Sequence, residues 1–304
     1  MQSDHLTPID YLMGAAVALT WGMGVVFAKA AIEHFPPILL MTLRFAVTAA
    51  ALIWFVRPPL AQLGRLFGIA LVAAALQYSL TFTGLKGLDA SVAALVIQLE
   101  VPFLVLLGVL FLHEQAGWLQ WLGIALAFLG VGLIAGEPRV AGAWVSVLMV
   151  VAGTLSWAVG QAMIRTLKDI DGLTLTAWIA VCACPQLLVM SLIFESGHAH
   201  AIAAANWVVW AAVVYLGLIM TAFGYALWYS LVRRHPISRV GPMLLLLPLF
   251  STAGAVLFLG ETLTWQIVLG GAVILTGVGS VLFDQRRAVA RRLSARGDLP
   301  KGPG

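Results

Sequence analysis

The chain has 304 residues, of which 62% are hydrophobic and only 10% charged, with a formal net charge of +4; an ordinary soluble domain carries about 25% charged residues. A water-soluble fold of this size would lack the polar surface to cover itself, so the composition excludes a soluble globular protein and points to a polytopic membrane protein. Cys182 and Cys184, the only cysteines, share one apolar run; two positions apart on a helix they face nearly opposite ways, which argues against a mutual disulfide or a cysteine metal pair and for buried small hydrophobes.

A membrane span needs about 20 mostly apolar residues. Such stretches fall at 10–32, 37–56, 66–86, 90–112, 118–136, 142–164, 173–194, 206–232, 238–259 and 264–283. The first follows Asp4 and Asp10 with no basic residue ahead of it, unlike a cleaved signal peptide, and is read as a retained span. Short connections carry turn formers: Pro36-Pro37, Pro58-Pro59, Gly87, Gly117, Glu137-Pro138, Gly172 and His235-Pro236. Consecutive helices are therefore antiparallel neighbours. The expected organisation is a short N-terminus (1–9), a first five-helix unit (10–138), a second (139–283) and a basic tail (284–304).

Orientation follows from Lys and Arg in short loops. On the side of both termini lie Arg57, Arg65, Arg165, Lys168, Arg233, Arg234 and Arg239, and the tail adds Arg286, Arg287, Arg291, Arg292, Arg296 and Lys301. The other side holds Lys86 and Arg139. This asymmetry predicts both termini in the cytoplasm of a cytoplasmic-membrane protein. The positive charge is then a topology signal, with the tail able to meet anionic lipid headgroups; basic residues spread over several loops argue against nucleic-acid binding.

The chain also repeats. Thr20-Trp21-Gly22 is followed by Lys29 as Ser156-Trp157-Ala158 is by Arg165. A shift of 147 residues then superposes Tyr78 on Tyr225, Ser91 on Ser238, Glu114 on Glu261, Trp118 on Trp265, and Gly123, Gly130 and Gly132 on Gly270, Gly277 and Gly279. Five spans per copy is odd, so the second copy enters the membrane from the opposite side. Inverted repeats of this kind build secondary transporters with a site near the midplane.

Thr20-Trp21-Gly22 with Lys29, Pro36-Pro37, Leu43-Arg44-Phe45, and Glu114 and Glu261-x-Leu-Thr264 each before a glycine-spaced span together resemble the EamA family of the drug/metabolite transporter superfamily. The resemblance covers residues 10–283. It implies an all-α fold of ten transmembrane helices in two inverted five-helix repeats around a central cavity, exporting small metabolites. Within the family, Ala93-Ala94-Leu95-Val96 with Gln98, and Arg239-Val240-Gly241-Pro242, are most similar to the exporters of cysteine and O-acetylserine.

The residues themselves supply the site candidates. Glu100 lies about ten residues, roughly 15 Å, into its span, where a carboxylate is costly and calls for a partner or a task; it is read either as the group that exchanges a proton with substrate or as a structural, permanently paired acid. Arg44 can pair with Glu100, clamp a substrate carboxylate, or merely cap neighbouring carbonyls. Trp21, Gln77, Tyr78, Trp157, Tyr225 and Trp228 fall at mid-depth, where ring N–H and O–H groups want partners or a wet cavity. Gln98 and Gln161 can hydrogen-bond across helices. Pro102 and Pro248, in corresponding spans, are hinge candidates; Gly123/Gly130 and Gly270/Gly277 read as packing faces. Glu114 and Glu261 read as carboxylates favouring the helix that follows each, and Lys29 as the surface partner of Glu33, four residues on.

These features predict a secondary exporter of a small polar metabolite, an amino acid or derivative, working by proton antiport. The alternatives are a facilitative permease, or a drug or nucleotide-sugar carrier of the same fold. No phosphate-binding Gly-x-x-x-x-Gly-Lys-Ser/Thr run is present, so ATP is not the direct energy source. No cofactor or metal is expected, and an enzyme is disfavoured because all six histidines lie in loops or tails.

Overall fold

A computed structural model of the chain describes residues 6–112, 116–167, 170–235 and 240–295, without the side chains of Leu112, Ala141, Arg233 and 285–295. Glu114, Lys168, Ser238, Arg239 and the basic side chains of the tail therefore lie outside the described residues. The described residues form helices and no strand. Ten helices are long and apolar enough to cross a bilayer: α1 (Pro8–Ile32), α2 (Pro37–Phe55), α3 (Leu60–Lys86), α4 (Ala90–Phe111), α5 (Trp118–Ala135), α6 (Trp144–Ile164), α7 (Gly172–Phe194), α8 (Trp207–Val232), α9 (Gly241–Leu259) and α10 (Trp265–Asp284). The face that α1 leaves and α10 reaches is called the terminal face below.

Helix starts follow from capping chemistry. At α1, Thr7 and Asp10 form a reciprocal capping box behind Pro8, which satisfies amide donors that the first turn leaves free. Asp171 accepts from the Leu173 and Thr174 amides at α7 (2.9 and 3.0 Å), and Asn206 does the same at α8 (3.0 and 3.1 Å). Gly260 ends α9 in the left-handed region, at φ 68°, where a Cβ is disfavoured.

Two kinds of irregularity recur in the two halves. α4 is broken at Gln98–Leu99, between helical segments Ala90–Ile97 and Glu100–Leu112. α9 opens with a 3₁₀ stretch, Gly241–Leu246, before Leu247–Leu259. Pro102 and Pro248 lie just past these interruptions. The third helix of each half carries a π-helical segment, Leu71–Leu76 in α3 and Tyr215–Phe223 in α8. Such segments release backbone groups and recur at functional sites.

Packing runs mainly between the halves, and in a pattern that a twofold operation maps onto itself. α5 pairs with α10 and α2 with α7; α3 and α4 pack on α6, as α8 and α9 pack on α1. The α5–α10 contact shows the symmetry atom by atom. A Cβ on Gly123 would lie 2.5 Å from the Gly277 carbonyl oxygen, and one on Gly130 would lie 2.6 Å from that of Gly270. Equivalent glycines thus meet in antiparallel order, as an inverted repeat requires, and small residues let the backbones approach. Gly132 and Gly279 face open space and are not packing positions. One buried cluster joins α1, α2, α3, α7 and α8 around Phe35 and Leu40; a second joins α4, α5, α6 and α10 around Leu99 and Ile134.

Candidate functional site

The two faces of the bundle differ. On the face away from the termini, side chains tie helix ends to remote loops. Glu261 accepts from the Ala90 and Ser91 amides at the start of α4 (2.6 and 3.1 Å) and from the Ser91 hydroxyl (2.6 Å). Glu195 accepts from the Ile38 and Leu39 amides of α2 (2.8 and 3.0 Å). Lys29 donates to the Leu85 and Lys86 carbonyls that end α3 (3.1 Å each), and Arg139 donates to the Thr262 hydroxyl (2.7 Å). On the terminal face a cavity of about 480 Å³ lies between the first turns of α7 and the last of α8, lined by Asp171, Thr176, Tyr229 and Arg234. Beside it, Asp10 of α1 meets Arg234 (3.4 Å) and His235 (3.0 Å).

Farther in, at the seam of the two clusters, is a second cavity of about 40 Å³, lined by Tyr78, Trp157, Gln161, Thr221, Tyr225 and Tyr229 among others. This volume suits a water or two and no metabolite. Thr176 and Tyr229 belong to both cavities. Tyr229 can form this partition because α7 begins with glycine: a Cβ on Gly172 would collide with the Tyr229 ring.

The wall of the inner cavity is held by the π segment of α8. Arg44 is fully buried, and its Nε donates to Thr221 Oγ1 (2.9 Å) while Nη2 donates to the Tyr78 hydroxyl (3.3 Å). Its remaining amino group faces the Met41 sulfur (3.8 Å), a weak acceptor. The guanidinium lies 4.5 Å from the Tyr78 ring centroid and 5.5 Å from that of Phe45, a cation–π arrangement. Thr221 donates in turn to the Leu216 carbonyl five residues back (2.7 Å), a reach that the π register supplies. Thr48 bridges the Gly217 and Arg44 carbonyls. Trp21 donates to the Met220 carbonyl of the same segment (3.0 Å), and its repeat mate's neighbour, Ser156, donates to Val72 in the π segment of α3 (2.7 Å).

The site candidates divide accordingly. Tyr78, Trp157 and Tyr225 line the inner cavity, as expected of mid-depth aromatics. Trp21 and Trp228 stand behind them, with Trp21 5.0 Å from Tyr225 and 6.1 Å from Trp228. Gln77 and Gln98 line neither cavity. Gln77 is buried and donates to Thr81 (3.3 Å), and Gln98 occupies the break in α4. Glu100 begins the second segment of α4, where the helix N-terminus favours a carboxylate. It also lines neither cavity.

Two expectations are corrected, and one of the three readings of Arg44 falls away. Arg44 and Glu100 form no ion pair, because the guanidinium is turned toward Thr221 and Tyr78. Lys29 is not paired with Glu33: the carbonyls left free at the end of α3 take its ammonium instead. Glu261 caps the remote α4 rather than the helix that follows it. Gln161, Thr176, Thr221 and Tyr229 went unread as lining residues; the hydroxyls resemble ordinary helical threonines, and only Tyr229, four residues after Tyr225 on one face, carried a readable signal. Cys182 and Cys184 are free. Among the described residues no cluster of three or more metal-ligating side chains is present.

Comparison with known proteins agrees with this architecture. The model of the EamA-like transporter family matches twice, at residues 9–136 and 144–283. A protein of Salmonella typhimurium named as a probable amino-acid metabolite efflux pump is 30% identical over 295 residues, covering 94% of this chain and 98% of its own. One of Escherichia coli with the same name is 30% identical over 287 residues, covering 91% and 96%. A probable terminal-alkyne amino-acid exporter of Streptantibioticus cattleyicolor is 31% identical over 211 residues, covering 68% and 67%. A crystal structure with 19% identity superposes with a TM-score of 0.63, covering 93% of this chain and 99% of that one, which shows the fold alone.

Proposed function

We propose that this chain, which belongs to the EamA-like transporter family, exports an amino acid or close derivative across the cytoplasmic membrane in exchange for protons. The membership and the ten spans make it a multi-pass membrane transporter of a small molecule. The finer reading has both termini in the cytoplasm, with the basic tail against anionic headgroups, so that the terminal-face cavity is the cytoplasmic entrance. The exporter names carried by its relatives support the cargo.

One observation carries the reading: a large cavity on the terminal face and a small inner one share two lining residues, Thr176 and Tyr229, while carboxylates join helix starts to remote loops on the opposite face. That arrangement suits a carrier loaded from the terminal face and closed toward the other. Glu100 supports proton exchange because no described residue gives it an ion pair or a hydrogen bond. A half-buried carboxylate at membrane depth without a partner is costly when charged, so it favours uptake of a proton and marks a candidate proton-exchange group.

The test is flux in proteoliposomes. A pH gradient is expected to accelerate amino-acid movement through the wild type and to leave Glu100→Gln at its ungraded rate. Flux indifferent to the gradient, with Glu100→Gln fully active, refutes proton coupling and leaves the facilitative permease.

A further inference from the structure

Arg44 carries more positive charge than its surroundings neutralise. A guanidinium presents five N–H donors. Two are met by neutral oxygens, those of Thr221 and Tyr78, and a third faces sulfur. No Asp or Glu among the described residues pairs with it. A side chain kept only for packing would be better served here by Met or Leu, which need no counter-ion. The local structure nonetheless invests in holding the cation still: Thr221 is aimed by the π segment, Thr48 ties α2 to that segment, and two rings cover the guanidinium.

The two oxygens that Arg44 does hold belong to residues that line the inner cavity. They occupy positions that the two oxygens of one carboxylate fill in a bidentate pair, the strongest arrangement open to arginine. Trp157, Tyr225 and Tyr229 also line this cavity, and aromatic rings suit an ammonium and an apolar side chain.

We infer that Arg44 is the receptor for a free carboxylate on the exported molecule, which replaces the Tyr78 hydroxyl on the guanidinium when Tyr229 and Thr176 part and the two cavities join. This rests on the exporter reading above and adds to it the chemical group by which cargo is chosen. Cargo whose carboxylate is masked as an amide or ester leaves the cation uncompensated and is rejected.

The experiment is counterflow in proteoliposomes with leucine, phenylalanine and cysteine, each against its carboxamide and methyl ester, for the wild type, R44K and R44Q. The wild type is expected to move at least one amino acid and to disfavour its carboxamide about 30-fold or more, the loss of a charge-assisted pair. R44Q is expected to lose the discrimination, and R44K, which keeps the charge without the fork, to retain part of it. Thermal stabilisation of each purified variant by the same ligands reads binding separately from transport. If R44Q does not fold, R44K decides: discrimination equal to the wild type overturns the assignment. Equal handling of acid and carboxamide by the wild type overturns it too, and leaves export intact. Movement and stabilisation by none of the probes overturns the amino-acid exporter reading, and the assignment with it.

Discussion

The tie between Glu261 and α4 lends itself to a quantitative test. Asp89 stands at the N-cap of α4 but makes no side-chain capping bond, so the Glu261 carboxylate supplies that cap from a distant loop through three hydrogen bonds. Glu261→Gln keeps the side-chain length, leaves one acceptor oxygen and turns an NH₂ group toward the remaining donors. Hydrogen bonds to charged groups contribute about 1.5–3 kcal/mol each and an N-cap about 1 kcal/mol. For a half-exposed carboxylate that loses two of its bonds, about 2–3 kcal/mol is expected. At 1.4 kcal/mol per tenfold, opening of the α4 start becomes roughly 30- to 150-fold more frequent. Hydrogen exchange in nanodiscs reads this directly, as faster exchange at Ala90 and Ser91 by that factor. Glu195→Gln serves as the internal control: it should accelerate exchange at Ile38 and Leu39 and leave α4 untouched. Exchange at Ala90 and Ser91 changed by less than about threefold would refute the latch.

The neighbouring Asp89 makes this face sensitive to pH: partial burial, and then the Glu261 charge, hold its carboxyl above the usual aspartate value, against the opposing pull of Lys29 and Arg139. A raised carboxyl value means that the closed form binds the proton more tightly, so this stabilisation is full below the ordinary aspartate range and is lost as pH rises through the raised value. Asp89→Asn is therefore expected to slow exchange at the start of α4 at neutral pH and to flatten its pH dependence relative to the wild type. In α5, Gly123→Ala places a methyl group 2.5 Å from a backbone oxygen that cannot yield; a loss of about 1–3 kcal/mol is expected in thermal unfolding, with Gly132→Ala, which meets nothing within 4 Å, unchanged.

Much of this fold is legible in local sequence because the bilayer forces it. Apolar runs must be helices, so the number and order of spans follow from hydropathy, although α3 begins at Leu60, ahead of the expected start, and takes Arg65 into its first turns. The glycines of α5 and α10 and the interruptions before Pro102 and Pro248 were equally readable, since each depends on one residue type. The π segments were not. Nothing in Leu71–Leu76 or Tyr215–Phe223 marks a change of register, because the released carbonyls of Val72 and Met220 are stabilised by side chains from α6 and α1. The sequence marks Glu261 as a cap for the adjacent helix, the nearest N-terminus across a short turn, whereas the carboxylate reaches the remote start of α4. Arg44 was recognised as anomalous, while its partners Thr221 and Tyr78 come from α8 and α3 and could be assigned only once those helices were placed.

The irregularities of this scaffold occur twice and its two charges at membrane depth once. The π segments, the interrupted helices and the α5–α10 glycines all have mates in the other half. The shifted equivalent of Glu100 is Leu247, and α7, the partner of α2, contains no basic residue. A physical reason is available. Each charge at membrane depth costs about 2.5–3.5 kcal/mol on an insertion scale, and neither Arg44 nor Glu100 recovers that cost in an ion pair here. Duplicating both would double the cost and place like charges across one small cavity. Mechanical symmetry has no such penalty, because exchanging the roles of two equivalent halves reverses which face is closed while the same cavity stays between them. A single acid and a single base can therefore serve both directions of opening. In the proposed mechanism the twofold scaffold supplies access and the unduplicated charges supply recognition, so substitutions at Arg44 and Glu100 should change what is carried and what drives it, whereas those at Glu261 and Gly123 should change how readily the bundle opens or holds together.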